Sequence, residues 1–319
     1  MSNIILSICI PTYNRAECLE NTIRSIVNQK VFQTTNEVEI IVSDNCSSDH
    51  TANVVNVFKE IYGDKILYFR NEENIMDKNF EVALSKGNGL FLKLNNDTLR
   101  HNADSLNSML ATIKANIDSQ SVLFFLNQSL GKRASFSCFN LDDFINKVSY
   151  YATWIGAFGI WKKDFDSMKD FSRYAHLQLT QTDVLYRLIS DKNNSFVNND
   201  LLFTVQDVKS KGGYDLLTVF LDNYSYILKE YVNKNAITTD TYKLVIKQVL
   251  LKLIRPSLTL SAVYPEKYKF HSKSVSKRIN AFYKANPIIV GNFFLNYYLH
   301  IVYSFLKKKL SLSTEMVTN

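Results

Sequence analysis

The sequence predicts an open, mostly parallel α/β sheet with helices on both faces, followed by a basic, helical C-terminal appendage. Three observations lead there. Apolar, β-branched runs alternate with segments of helical periodicity up to residue 126, the order that βαβ units impose. Those runs are nearly continuous, as in strands covered on both faces. From about Asp215 onward only helical patterns remain.

The elements follow in order. IILSICI (4–10) reads as the first buried strand, and the segment from Ala16 to Gln29 then sets Leu19, Ile23, Ile26 and Val27 on one helical stripe. VEIIVS (38–43) is the second strand, with Ser48 and Asp49 placed to cap a helix carrying Val54, Phe58 and Ile61. ILYFR (66–70), LFLKL (90–94) and SVLFFL (121–126) continue the alternation, with no internal repeat or low-complexity tract.

Of the 319 residues, 46% are hydrophobic and 21% charged, enough to bury a core and to exclude large-scale disorder. Cys9, Cys18, Cys46 and Cys138 show no close pairing and read as the reduced thiols of a cytosolic protein. Residues 1–10 lack a basic leader and a cleavage site, and Pro11 ends their apolar run, so secretion is not expected. The net charge of +7 is uneven, because residues 241–319 hold 13 basic and 2 acidic side chains. Such asymmetry points to an anionic partner, nucleic acid or a membrane surface.

Open α/β sheets bind ligands at the carboxyl ends of their strands. The residues there are PTYNR (11–15), DNCSSD (44–49), NEENIMDKN (71–79) and NND (95–97). The first glycine of the chain is Gly63, which excludes both the dinucleotide fingerprint and the P-loop. A diphosphate bound on this rim needs another source of positive charge, most simply a divalent cation at Asp97. Plain turn chemistry also accounts for an Asn-Asn-Asp run.

LSICIPTYNRAECLENTIRSIVNQ (6–29) with VEIIVSDNCSSDHT (38–51) resembles the opening of a family 2 glycosyltransferase of the GT-A fold, many of which build bacterial surface polysaccharides. The resemblance is good over residues 4 to about 100, loose over 120–205 and slight beyond. It implies a GT-A domain at 1–212, with a nucleotide-sugar half (1–100) and an acceptor half (101–212), followed by a helical region at 213–319. It implies further that Pro11, Thr12, Tyr13, Asn14 and Arg15 line the nucleotide pocket and that Asp44 bonds the base.

The metal motif D-x-D of that family falls on Asn95, Asn96 and Asp97, with Asn95 in place of its first acid. Asp97 is then the metal-bearing residue, for Mg2+ or Mn2+ at modest affinity, and restoring an acid at position 95 should preserve or strengthen the metal response. Asn74 and Asn79 lie in a segment similar to the family's third rim loop, although turn chemistry explains them nearly as well.

In HLQLTQTDVLYRLI (176–189), Asp183 opens a helix marked by Leu185, Leu188 and Ile189 and matches the position of the family's general base. The family's acidic pair is reduced here to Thr182 and Asp183, and Asp183 would also complement the helix dipole without any catalytic role. His176 is the reserve candidate. Trp154, in YATWIGAFGIW (151–161), suits a sugar-stacking wall or ordinary core packing.

Residues 288–306 contain no Asp, Glu, Lys or Arg, yet Asn292, Asn296, His300 and Ser304 form a polar stripe, and Lys307, Lys308 and Lys309 follow. An interfacial helix on an anionic membrane fits this pattern, with burial in the fold or in a dimer as the alternative. No nucleic-acid module accompanies the charge, and nucleic acid is not expected.

The expectation is therefore an inverting glycosyltransferase, cytoplasmic and peripheral on the inner face of the cell membrane. It would move a sugar from a nucleotide-sugar donor to a glycan hydroxyl, such as a lipid-linked O-antigen, capsule or cell-wall intermediate. A non-catalytic sugar-nucleotide or glycan-binding subunit and a nucleotidyltransferase are the competing readings. Donor base, sugar, linkage and oligomeric state do not emerge from the sequence.

Overall fold

A computed structural model of the chain describes residues 4–208, 211–283 and 287–317. It divides into two compact units, Met1–Asp207 and Val208–Asn319. The first unit runs β1 (Leu6–Thr12), α1 (Ala16–Val27), α2 (Lys30–Thr34), β2 (Val38–Asp44), α3 (Thr51–Tyr62), β3 (Ile66–Arg70), α4 (Asn79–Ser85), β4 (Phe91–Leu94), β5 (Leu99–His101), α5 (Ser105–Lys114), β6 (Val122–Phe125), β7 (Phe136–Cys138), α6 (Leu141–Val148), β8 (Gly159–Trp161), α7 (Lys162–Ser167), α8 (Thr180–Lys192), β9 (Ser195–Asn198) and β10 (Phe203–Val205).

The central sheet has the order β3-β2-β1-β4-β8. Its first four strands are parallel, and β8 closes the edge antiparallel to β4. The register of β1 on β2 runs from Leu6 opposite Val38 to Thr12 opposite Asp44, which aligns the polar strand ends along one rim. The apolar run at 121–126 forms a strand, but in a separate three-stranded sheet of order β6-β9-β7.

The predicted stripe of α1 is buried at Leu19, Ile23, Ile26 and Val27, against β1, β2 and the Val54, Val55 and Phe58 side of α3. Ile61, expected on that stripe, stands 66% exposed in the last turn of α3. Glu39 is buried in mid-sheet, where its carboxylate accepts from the Ser7 hydroxyl (2.5 Å) and from the Asn88 backbone N–H (2.6 Å) and side-chain amide (3.1 Å). Those donors satisfy a charge that would otherwise be costly to bury.

The second unit comprises β11 (Lys211–Asp215), α9 (Tyr224–Asn233), α10 (Thr239–Gln248), α11 (Arg255–Val263), β12 (Tyr268–His271), α12 (Val275–Phe282) and α13 (Pro287–Val317). The parallel pair β11–β12 is not anticipated by the helical reading of this region. It is short and aromatic, with the rings of Tyr214, Tyr268 and Phe270 packed together. Arg278 ties α12 to Asp215 (3.0 Å) and to Asp222.

Along α13, Phe293 is buried while Leu295, Tyr298, Leu299, Val302, Tyr303 and Leu306 are each more than half exposed. At 100° per residue these six share one side of the helix, opposite Phe293. Among the described residues no helix is long and apolar enough to cross a membrane. The side chains of Lys308 and Lys309 lie outside the described ones.

Candidate functional site

Parallel pairing of β1 with β4 brings the loop after β1 against the turn after β4. There the Thr12 hydroxyl donates to Asp97 Oδ2 (2.9 Å) and Arg15 Nη1 to Asp97 Oδ1 (3.0 Å). The Thr22 hydroxyl donates to the Asp97 carbonyl from α1 (2.8 Å). Asp97 is almost fully enclosed; burial pushes its carboxyl above the ordinary value, with Arg15 and Thr12 acting in the opposite direction. Beside it, Asn96 Oδ1 is buried without a hydrogen-bond partner. An acceptor oxygen left in that state is costly unless a ligand supplies the missing contact.

The rest of the rim is built by side chains that cross-link the loops. Asn14 adopts a left-handed conformation (φ 51°), which Asn tolerates better than most residues. This lets its backbone N–H reach Ser47 Oγ (2.9 Å) while its Oδ1 accepts from the Ser48 N–H (2.7 Å). Asp49 accepts from the Ala16 N–H (2.9 Å) and the Thr51 N–H (3.1 Å), serving the first residues of both α1 and α3. Pro11 is half-buried and Tyr13 is exposed at the mouth.

Asp44 is buried at the end of β2, accepting from the Tyr68 hydroxyl (2.6 Å) and the Ser47 N–H (2.8 Å), with Arg70 at 3.8 Å. Burial and the bond to Asp44 raise the Tyr68 hydroxyl above its usual pKa. Two rim residues brace the loop after β3. Asn74 Oδ1 accepts from Asn45 Nδ2 (2.7 Å) and the Met76 N–H (2.9 Å). Asn79 is buried on Ser43, accepting from its hydroxyl (2.6 Å) and donating to its carbonyl (3.0 Å). Between them, burial pushes the Asp77 carboxyl up to about 6.

Two of the expected site residues are enclosed by their neighbours. Asn95 does not face the rim: it is wholly buried, with Oδ1 3.2 Å from His101 Nε2 and Nδ2 donating to the Asn96 carbonyl (3.0 Å). Asp183 is in the first turn of α8 as expected, but it is 0% exposed and closed off by two guanidinium groups. Arg173 holds both its oxygens, Nε to Oδ2 at 2.8 Å and Nη2 to Oδ1, and Arg187 Nη2 stands 3.1 Å from Oδ2. In this arrangement an acceptor hydroxyl has no free path to the carboxylate.

Residues 152–156 join α8 to the Asn96 turn. Gln181 Nε2 donates to the Thr153 carbonyl (2.8 Å) and the Thr182 hydroxyl to the Ala152 carbonyl (3.4 Å). A Cβ on Gly156 would stand 2.9 Å from both Asn96 Oδ1 and the Trp154 ring, so only glycine fits there without a shift. Trp154 is partly buried, edge-on to Phe203 at 6.3 Å, and packs on the core. His176 is exposed in a 3-10 turn, edge-on to Tyr174 at 6.1 Å, apart from these contacts.

Lys93, an unpredicted member, is buried beneath the same loop. Its ammonium donates to the carbonyls of Leu94 (2.7 Å) and Gly156 and lies over the rings of Phe203 (5.3 Å) and Phe125 (5.7 Å). Burial lowers its pKa to about 7. Burial, with Lys93 adding to it, lowers His101 to about 3, leaving the imidazole neutral at physiological pH. A lysine inside the apolar run LFLKL was the available signal for the first of these.

The sheet order and the polar rim define an α/β fold of the GT-A type. The crystal structure of S. aureus TarS matches with a TM-score of 0.56 at 17% identity, covering 95% of this chain and 54% of that one. The Pyrobaculum calidifontis mannosyltransferase PcManGT, solved with GDP-Man and Mn2+, matches at 0.55 and 14% identity, covering 95% and 87%.

Residues 7–137 match the model of Glycosyl transferase family 2, the family that the motifs of this segment resemble. Abequosyltransferase RfbV of Salmonella typhimurium is 34% identical over 128 residues, 39% of this chain and 36% of that protein. The Campylobacter jejuni GalNAc(5)-diNAcBac-PP-undecaprenol beta-1,3-glucosyltransferase is 43% identical over 86 residues, 27% and 25% of the respective lengths. The chain thus spans about a third or less of the curated relatives it matches.

Proposed function

We propose that the protein is an inverting glycosyltransferase that moves a sugar from a nucleotide-diphosphate sugar to a hydroxyl of a lipid-linked glycan. The observation that carries this reading is the convergence of Thr12, Arg15 and Asp97 at adjacent strand ends, next to the unpartnered Asn96 Oδ1. The family 2 match supports transfer, the TarS complexes with UDP and UDP-GlcNAc support a nucleotide-sugar donor, and the undecaprenol-diphosphate substrate in the Campylobacter relative's name supports a lipid diphosphate carrier.

The residues present fit a divalent cation that arrives with the nucleotide. Among the described residues no cluster of three His, Cys, Asp or Glu side chains holds a metal alone. Asp97 offers a carboxylate and Asn96 a free carbonyl oxygen, and hard cations of the Mg2+ class complete such a pair with phosphate oxygens and water. When bound, the cation would stabilise charge on the departing diphosphate. Arg15, half-exposed at the mouth, can turn from Asp97 to the phosphates without crossing the core.

For transfer, Arg173 must leave Asp183, whose carboxylate then takes the acceptor's hydroxyl proton. The oxygen attacks the anomeric carbon as the bond to the diphosphate breaks. Pro11, Tyr13 and Asn14 border the nucleotide, Asp44 and the Asn74–Asn79 loop brace its base side, and Trp154 walls the sugar. His176 is the reserve proton acceptor.

The enclosed Asp183 equally favours a second reading, a subunit that binds sugar nucleotides without turning them over. Titration with UDP, GDP, dTDP and CDP sugars, followed by nucleotide release with and without a lipid-linked acceptor, separates the two. Acceptor-dependent release of a nucleoside diphosphate is expected. Binding without release would establish the subunit, and pyrophosphate release a nucleotidyltransferase.

The exposed apolar side of α13 and the basic excess at 241–319 support work at an anionic membrane surface, on the cytoplasmic face where nucleotide sugars are available.

A further inference from the structure

We propose that Asn95 terminates a one-directional hydrogen-bond chain, Gln29–Ser105–His101–Asn95, whose task is to position the Asn96–Asp97 turn. The inference rests on the reading of Asp97 as the donor-site carboxylate. Every link has a direction fixed by chemistry. Asn95 Oδ1 can only accept, so His101 Nε2, at 3.2 Å, carries the proton and Nδ1 is left as an acceptor. The Ser105 hydroxyl is then the donor to Nδ1 at 3.1 Å, the nearer of its two possible acceptors (Gln29 Oε1 stands at 3.4 Å), and its lone pair takes the N–H of Gln29 Nε2 (3.0 Å).

The Gln29 amide cannot flip to reverse the order, because its Oε1 accepts the Leu106 N–H (3.1 Å). At the far end Asn95 Nδ2 passes its own N–H to the Asn96 carbonyl (3.0 Å). Asn95 and His101 are 0% and 7% exposed, which leaves bulk water little access to replace a missing link.

Helix α1 anchors the arrangement. The His101 N–H donates to Ser25 Oγ (2.8 Å) and the Thr22 hydroxyl to the Asp97 carbonyl (2.8 Å), so Thr22 and Ser25 of α1, with Gln29 in the bend after it, grip both sides of the turn. Asn95 is thereby a positioning residue whose neutrality is required. An aspartate there would accept from His101 but would have no N–H for the Asn96 carbonyl, setting acceptor against acceptor and placing a charge in a closed site. This runs against the expectation that an acid at 95 preserves or strengthens the metal response.

The test uses the full chain and begins without ligand. Nitrogen-15 NMR of histidine-labelled protein should find His101 protonated at Nε2 only; a proton on Nδ1 instead overturns the chain. Asn95→Asp and His101→Leu should accelerate hydrogen exchange of the Leu99 amide, which bonds the Asn96 carbonyl at 3.0 Å. Unchanged exchange in both variants contradicts the proposal.

With Mn2+ and whichever of UDP, GDP, dTDP or CDP binds the native protein, each variant should bind 10–100-fold more weakly, the usual range for lost support of a metal site. His101→Gln, which keeps a side-chain N–H, should recover most of the loss. The double variant should be no worse than the poorer single one. Tighter binding by Asn95→Asp, or losses that multiply, overturns the inference. Native protein that binds none of these nucleotides refutes the functional reading instead, and the two ligand-free measurements still decide the chain.

Discussion

Replacing Asp183 by Asn tests whether the enclosed carboxylate is a base or only an anchor. The carboxylate is fully buried, while the side chains of Arg173 and Arg187 are 29% and 19% exposed. Removing one partner of a buried ion pair costs ~3–5 kcal/mol. Partial rehydration of both guanidinium groups and the oxygen kept by asparagine reduce that to ~2–3 kcal/mol, a Tm decrease of about 4–12 °C for a unit of this size. Stability alone therefore does not discriminate, and rate must be measured beside it below the transition.

If Asp183 takes the acceptor proton, single-turnover transfer by Asp183→Asn should drop by roughly 10²-fold or more while donor affinity holds. Arg173→Gln provides the opposing sign. It leaves Arg187 in place and should lower Tm by less, while sparing or raising the transfer rate because it uncovers the carboxylate. Asp183→Asn with normal turnover would refute the base assignment. A rate lost in proportion to donor affinity and Tm would mark Asp183 as structural.

Asp97→Ala should abolish transfer and the metal dependence of nucleotide binding; near-normal turnover in the presence of a chelator would refute the metal assignment. Lys93→Met should change the pH dependence of stability. The folded pKa near 7 lies below the unfolded value of 10.5, so the native state carries the full burial cost below pH 7 and sheds it as pH rises toward 10.5. Native protein should gain up to about 3 kcal/mol between pH 7 and 9 relative to the variant, measured by urea unfolding, and parallel curves would refute this. Leu299→Glu with Val302→Glu, both on the exposed side of α13, should release the protein from anionic liposomes without changing Tm, whereas unchanged liposome binding would end the membrane proposal.

The strands and the rim were legible because they follow from local rules. Apolar runs such as LSICI and VEIIV can only be buried strands, and parallel pairing then aligns Thr12 with Asp44 without further information. Asp49 was legible as a cap for the same reason. What the sequence did not disclose was which rim side chains turn inward. Asp183 satisfied every local criterion for a helix-opening acid, and only tertiary folding of the segment at 168–179 placed Arg173 over it. The pair β11–β12 was likewise hidden, since two short aromatic stretches more than fifty residues apart carry no periodicity of their own.

Asn95 is the instructive case, because a signal for it was present. Side chains two apart in a strand share a face. Lys93 and Asn95 therefore point the same way, and that face is covered by Phe203, with Phe125 over Lys93 and His101 over Asn95. A lysine in an otherwise apolar strand marks a face where polar groups are buried by design, so the next residue of that parity should meet a partner and not a nucleotide. Asp97 escapes the rule because the turn after Asn95 breaks the alternation and swings it back toward Thr12. Parity up to Asn95 and the break after it thus separate the three residues: Asn95 is enclosed by His101, Asn96 presents an unpaired oxygen, and Asp97 carries the charge beside Thr12.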